Sequence, residues 1–263
     1  MDLQLKGKRA LVAGSSRGLG YAIAKVLAAE GCSVAINGRN SQGLSEAAQK
    51  LHAETHAEVV PLPGDVGKPE VAQGLAQQVG QAFGGLDLLV TNAGGPPSGP
   101  FDGFDDLAWQ YAIELSLLSH VRLIRACLPH LRQSKYPSVV TMTSYSIKQP
   151  IPNLVLSNSI RAATVGLTKS LSLELGAEGI RFNSILPAWT MTERVQELMS
   201  YRAKKNGTSV EEEIKRQASE AALARMAQPE EIANAAVFLL SPAASYITGV
   251  MLTVDGGTYK GTL

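Results

Sequence analysis

The stretch Arg9-Ala10-Leu11-Val12-Ala13-Gly14-Ser15-Ser16-Arg17-Gly18-Leu19-Gly20 decides how the rest of the chain is read. Leu11 to Ala13 has the unbroken apolar character of a strand covered on both faces. Gly14, Gly18 and Gly20 then leave no side chain to hold the backbone away from a ligand or a neighbouring strand. A helix that opens at Gly18 and runs to about Glu30 points its unpaired N–H groups at this turn, which suits a pyrophosphate. The spacing is G-x-x-x-G-x-G rather than the commoner G-x-G-x-x-G. Taken alone, such a cluster also reads as a plain tight turn between strand and helix, so the remainder of the chain has to arbitrate.

Strand and helix signals alternate from end to end. Strands are expected at residues 33–37, 58–62, 86–91, 138–143, 181–186 and 250–254. Helices are expected at 42–53, from 65 onward with Pro69 near the first turn, at 105–132, at 154–176 and from 228 onward. This order implies right-handed βαβ crossovers and an α/β doubly wound, seven-stranded parallel sheet in a single domain, residues 1–263. The rhythm breaks once. Residues 193–204 and 209–222 read as two helices with no strand between them, an insertion at about 190–225 placed to be a lid or a structural decoration.

The bulk properties agree with one globular α/β domain. The chain has 263 residues, 45% hydrophobic and 18% charged, and a net charge of +1, which argues against a nucleic-acid footprint or an anionic membrane surface. Cys32 and Cys127 stand far apart with no C-x-x-C, so neither disulfides nor zinc are expected. No stretch is apolar enough for a signal core or a bilayer span, and the expectation is a soluble, cytoplasmic chain. His52 and His56 have metal-like i,i+4 spacing but no third ligand; a solvated helix face is the better reading, and no metal site is expected. His120 and His130 read as surface or packing residues.

The end of the second strand, Asn37-Gly38-Arg39-Asn40, carries no Asp or Glu to meet a free ribose 2′-hydroxyl. Arg39 sits there instead, and Arg17 sits in the glycine turn. Two guanidinium groups near one ribose suit a 2′-phosphate, which favours NADP(H) over NAD(H).

Gly14-Ser15-Ser16-Arg17-Gly18-Leu19-Gly20, Asp65-Val66, Asn92-Ala93-Gly94, Pro187-Ala188-Trp189-Thr190-Met191-Thr192 and Asp255-Gly256-Gly257 together resemble the short-chain dehydrogenase/reductase family. The order and spacing match along essentially the whole chain. Arg225-Met226-Ala227-Gln228-Pro229-Glu230-Glu231 is similar to the 3-oxoacyl-(acyl carrier protein) reductase and polyol dehydrogenase members. The resemblance implies that Gly14, Ser16, Arg17, Gly18, Leu19, Gly20 and Arg39 contact the cofactor's phosphates and ribose. By the same resemblance Asp65 and Val66 border the adenine, and Asn92, Ala93 and Gly94 lie under the centre of the cofactor. Pro187, Thr190 and Thr192 would serve the nicotinamide end. It also implies a homotetramer joined through the two long helices.

The catalytic positions depart from the family pattern of a Ser, a Tyr-x-x-x-Lys pair and an Asn. Ser144 is present. Thirteen residues on, Ser157 stands where Tyr is usual, and Arg161 stands where Lys is usual. Ser116 falls at the Asn position. An aliphatic hydroxyl is a far weaker acid than a phenol, and an arginine stays charged and cannot relay a proton. At i,i+4 the two lie on one helical face, where the guanidinium could still hold the nicotinamide ribose and stabilise an oxyanion. Tyr145 and Lys148 could rebuild the missing pair if the loop curls inward; otherwise Tyr145 faces away, because neighbours along a strand point to opposite sides. The reading is an NADP(H)-dependent oxidoreductase moving a hydride between nicotinamide and a small carbonyl or secondary alcohol. Its rival is an NADP(H)-binding sensor or partner subunit on the same fold that has lost turnover.

Overall fold

Apolar runs such as Leu11 to Ala13 need cover on both faces, and the computed structural model, which describes residues 1–262, provides it. The strands are β1 (Arg9–Val12), β2 (Ser33–Gly38), β3 (Val59–Pro63), β4 (Leu88–Thr91), β5 (Ser138–Met142), β6 (Arg181–Pro187) and β7 (Met251–Val254). They form one seven-stranded sheet in the order β3-β2-β1-β4-β5-β6-β7, every pair parallel. Alternate residues of β1 serve opposite faces. Ala10 and Val12 pack with Ile23 and Leu27 of α1 (Gly18–Ala29), Leu44 and Leu51 of α2 (Ser41–Thr55) and Val237 of a late helix. Leu11 and Ala13 pack with Leu75 and Val79 of α3 (Val71–Phe83) and with Leu123 on the far side. The strand order reverses between β1 and β4, and ligands of open α/β sheets bind at the carboxyl end of such a reversal.

Two expectations shift. The helix after β3 begins at Val71 rather than near Asp65, because the Asp65 carboxylate accepts from the Gly67 N–H at 3.0 Å and holds a turn there. The long helix expected at 105–132 is α4 (Asp106–Ile113), a π turn at Glu114–Leu118, and α5 (Ser119–Leu131), running on without a break. The wide turn has a visible cause. Thr164 of α6 (Val155–Glu174) donates its hydroxyl to the Ser116 carbonyl at 2.5 Å, and Ser119 donates to the Leu115 carbonyl at 2.5 Å. Carbonyls engaged from the side leave the regular ladder and widen it. Pro61 and Pro63 are tolerated because β3 is an edge strand.

Between β6 and α9 (Pro229–Leu240) lie α7 (Glu193–Asn206) and α8 (Val210–Ala218), with no strand between them. They share a separate small cluster, Met199, Ala218 and Met226 with Trp189, Val195 and Ile214 against it. Among the described residues no helix is long and apolar enough to cross a membrane.

Candidate active site

The glycine turn is fixed by two asparagines. Asn37, buried at the end of β2, donates to the carbonyls of Leu62 and Gly64 and accepts from the Gly14 N–H at 3.3 Å. Asn92, just past β4, donates to the Gly14 carbonyl at 2.9 Å. Gly14 has φ +56° and Gly18 φ +62°, a region that L side chains avoid. The turn is thereby bound to three strands, with the N-terminus of α1 facing the open space beyond.

That space is a cleft of about 440 Å³ over the β1/β4 reversal. Gly14, Ser16, Arg17, Gly18, Leu19, Arg39, Asp65, Val66, Asn92, Ala93, Gly94, Thr190, Thr192 and Arg161 all line it. Two residues named by resemblance do not. A side chain at Gly20 would run into the Gly14 carbonyl, so this glycine lets α1 pack on the turn rather than meeting the cleft. Pro187 is buried at the end of β6, behind Ala188 and Trp189, which take the lining position. Arg17 reaches across to Glu193 at 3.3 Å; with both side chains largely exposed this pair adds little to stability and leaves Arg17 available to a ligand. Arg39 is exposed on the rim.

At the other end of the cleft, Arg161 is half-buried, with its guanidinium on the cleft wall. Its Nε donates to the Ser157 hydroxyl at 3.1 Å, and its Nη1 donates to the carbonyls of Met142 and Thr143 at 3.3 Å each. Desolvation, followed by the nearby charge of Arg194, lowers its pKa from 12.5 to about 10, so it remains cationic at neutral pH. The structure therefore brings Ser157 and Arg161 together and ties them to the carboxyl end of β5. Ser116 is linked to the same helix through its carbonyl, but its buried hydroxyl has no partner and does not reach the cleft. Ser144 caps the short turn Tyr145–Ile147, accepting from the Ser146 N–H at 3.2 Å, while its neighbours Met142 and Thr143 form the wall.

The Tyr145–Lys148 pair is not rebuilt. Tyr145 is buried beside Trp189, outside the cleft lining, and burial raises its pKa above that of a free phenol. Lys148 turns onto the ring of Tyr259, 5.4 Å from its centroid. Strand alternation does not set this direction: β5 ends at Met142, and Tyr145 lies in the short turn Tyr145–Ile147 that Ser144 caps, which carries the phenol away from the cleft.

Of the two readings of His120, surface or packing, the structure shows packing. It is buried, with Nδ1 2.7 Å from the Thr91 hydroxyl. Burial first, then the charge of Arg161, pushes its pKa from 6.5 down to about 3. Below pH 6.5 the unfolded chain thus binds a proton that the folded chain refuses, and stability falls as pH drops, by up to about 1.4 kcal/mol per pH unit. Denaturant titrations of the parent and His120→Gln at pH 7 and pH 5 should show the parent losing about 2 kcal/mol more than the variant. Equal losses would remove His120 as the cause. His130 packs over Gly80 of α3, and His52 Nδ1 meets the Ala57 carbonyl at 2.8 Å; among the described residues no group of three metal-ligand side chains assembles.

Sequence reasoning did not single out Asn37, Gly95, Tyr111 or Arg194 as site residues, yet all four line the cleft. Arg194 follows directly on Thr190-Met191-Thr192-Glu193, in the first turn of α7. An arginine there, next to a loop already assigned to a ligand, was the available signal.

Comparison with known proteins places this geometry. Residues 13–259 match the family model described as enoyl-(acyl carrier protein) reductase. The chain is 33% identical to the uncharacterized oxidoreductase YvaG of Bacillus subtilis (strain 168), with 99% of each covered. It is 31% identical to the 3-oxoacyl-(acyl carrier protein) reductase FabG of Chlamydia trachomatis, covering 96% of this chain and 98% of that one. Among solved structures, the L-sorbose reductase of Gluconobacter frateurii complexed with NADPH and L-sorbose superposes with a TM-score of 0.96 at 34% identity, covering 99% of this chain and all of the other. Likeness of this extent, joined to the glycine turn and the seven-stranded order, has one meaning: the chain belongs to the short-chain dehydrogenase/reductase family.

Proposed function

We propose that the protein is an NADP(H)-dependent oxidoreductase that moves a hydride between the nicotinamide and a carbonyl or secondary alcohol, with Ser157 and Arg161 standing where the family has Tyr and Lys. The observation that carries the reading is Arg161 on the wall of the cleft, anchored to the end of β5 and 3.1 Å from the Ser157 hydroxyl. The cleft fits the dinucleotide. Glycines 14 and 18 leave the backbone N–H groups of α1 bare for the pyrophosphate, and Asp65 and Val66 border the adenine position. Arg17 and Arg39 supply the charge that a 2′-phosphate requires, and the segment after β2, Gly38-Arg39-Asn40, holds no carboxylate to repel it. Thr190 and Thr192 line the opposite wall.

The bound cofactor supplies the hydride. The chain's own residues then have two tasks. Arg161, cationic and held rigidly by two carbonyls and a hydroxyl, stabilises negative charge developing on the substrate oxygen, and Ser157 fixes the guanidinium plane. Neither is an acid near neutral pH, so the alkoxide takes its proton from water. The helix pair α7–α8, with its own small core, serves as the lid that excludes bulk water over the nicotinamide end.

The test is NADPH titration followed by turnover against diketones, quinones, sugar ketones and β-oxoacyl thioesters. Saturable NADPH binding, tighter than NADH binding, with NADPH oxidation on at least one class is the expected result. Binding without turnover on every class would favour the sensor or partner-subunit reading, which the absent phenol makes the specific alternative.

A further inference from the structure

The charges around the cleft do not balance. Arg17, Arg39, Arg161 and Arg194 line it, against the carboxylates of Asp65 and Glu193. Glu193 is taken by Arg17, and Asp65 is turned onto the Gly67 N–H. Among the described residues neither Arg161 nor Arg194 has a carboxylate partner. Yet the two converge. A methyl group built on Gly95 would lie 3.5 Å from Arg161 Nη2 and 3.7 Å from both terminal nitrogens of Arg194. Two guanidinium groups that touch one point can share a single carboxylate at hydrogen bonds of about 2.8 Å. Without an anion the arrangement is unfavourable, because a half-buried cation faces a second cation and neither has a carboxylate to offset its charge.

The donors point the same way. Arg161 spends Nε on Ser157 and Nη1 on Met142 and Thr143, which leaves Nη2 facing the cleft at Gly95. Arg194 comes from the exposed side, in the first turn of α7. The shared point lies past β4 and beside the end of β5. The cofactor's phosphates, by contrast, are assigned to the N-terminus of α1 over β1 and to Arg17 and Arg39 beyond β2. The anion that fits between Arg161 and Arg194 is therefore on the substrate's side of the cleft.

We propose that Arg161 and Arg194 form a seat for a carboxylate on the substrate, so that the protein acts on short oxo acids or the corresponding hydroxy acids. The proposal rests on the oxidoreductase reading above and narrows its substrate class. A short oxo acid presents its carbonyl oxygen and carboxylate along one edge, which the two guanidinium groups divide. Arg161 meets the reacting oxygen and the near carboxylate oxygen, and Arg194 takes the rest of the carboxylate. Arg194 is then a specificity residue.

The experiment uses the full chain, with and without saturating NADPH, and titrates 2-oxobutanoate and 3-oxobutanoate against their methyl esters. The acid should bind at least about 10-fold more tightly than its ester for one of the two chain lengths, since a charge-assisted hydrogen bond is lost on esterification. Arg194→Met, an exposed position where folding is not at stake, should erase that preference to within about 3-fold while leaving NADPH affinity within about 3-fold of the parent. Equal binding of acid and ester to the parent would overturn the seat. So would a loss of NADPH affinity in Arg194→Met as large as the loss for the acid, since the arginine would then be serving a cofactor phosphate. The oxidoreductase reading fails by a different sign: an acid preference that persists in a chain with no NADPH-dependent turnover keeps the seat and removes the reaction.

Discussion

Ser157→Tyr combined with Arg161→Lys should raise NADPH-dependent reduction of a neutral diketone by about 100-fold or more, because a positioned general acid contributes roughly 10²–10⁴ to such a step. The two positions are one helical turn apart on α6, Arg161 lines the cleft, and its Nε is already within hydrogen-bond reach of the Ser157 hydroxyl. A phenol at 157 starts near a pKa of ~10, and an ammonium one turn away lowers it toward the working range. Lysine at 161 retains donors for the Met142 and Thr143 carbonyls that now hold the guanidinium, so the point of attachment to β5 survives even though the planar fork does not. A neutral substrate is needed, since Arg161→Lys also alters the carboxylate seat. Arg161→Lys alone should not gain activity: it removes a rigid cation and supplies no acid. An unchanged rate in the double variant, with NADPH affinity intact, would mean that the cleft no longer holds a carbonyl in reach of these residues.

The fold was legible because it rests on period and punctuation. β1 alternates its side chains between two apolar layers, and the glycines after it break the strand where the sheet order reverses. Those signals are local, so seven strands and the main helices could be read with ends shifted by a few residues. What could not be read was set by contacts between distant segments. The π turn at Glu114–Leu118 depends on a hydroxyl from Thr164, 48 residues away. The start of α3 depends on how Asp65 spends its carboxylate.

The site divided in the same way. Residues on the glycine turn and at strand ends were legible, because an open parallel sheet puts its ligands there. Gly20 and Pro187 belong to the same motifs yet face packing rather than the cleft. Only the direction of a side chain separates the two cases, and a motif does not encode it. His120 reads from the sequence as either a surface or a packing residue, and its burial against Thr91 follows from which face α5 turns to β4. The convergence of Arg161 and Arg194 on Gly95 needs three segments, α6, α7 and the loop after β4, to meet.

Gly14→Ala should weaken NADPH binding by about 100-fold or more and lower the unfolding free energy as well. Two costs coincide there. At φ +56° an L residue is disfavoured by about 1–2 kcal/mol. The added methyl would also stand 2.8 Å from the backbone carbonyl oxygen of Asn92, a contact that forces one segment to move. Neither segment moves freely. Asn92 is bonded through its amide to the Gly14 carbonyl at 2.9 Å, and Asn37 holds the Gly14 N–H from the other side. The displacement therefore passes into the turn and misaligns the N–H groups of α1. Gly94→Ala is the control that lacks both costs. Gly94 lines the same cleft, has no left-handed φ, and has no atom within 4 Å of an added methyl. That variant should keep its stability and lose NADPH affinity only through occupation of the binding space, whereas Gly14→Ala loses both. Denaturant midpoints and NADPH titrations on the two proteins read the difference directly. A Gly14→Ala protein with parental stability and parental NADPH affinity would show that the turn is not the dinucleotide's binding surface, and the assignment of Arg17 and Arg39 to its 2′-phosphate would fall with it.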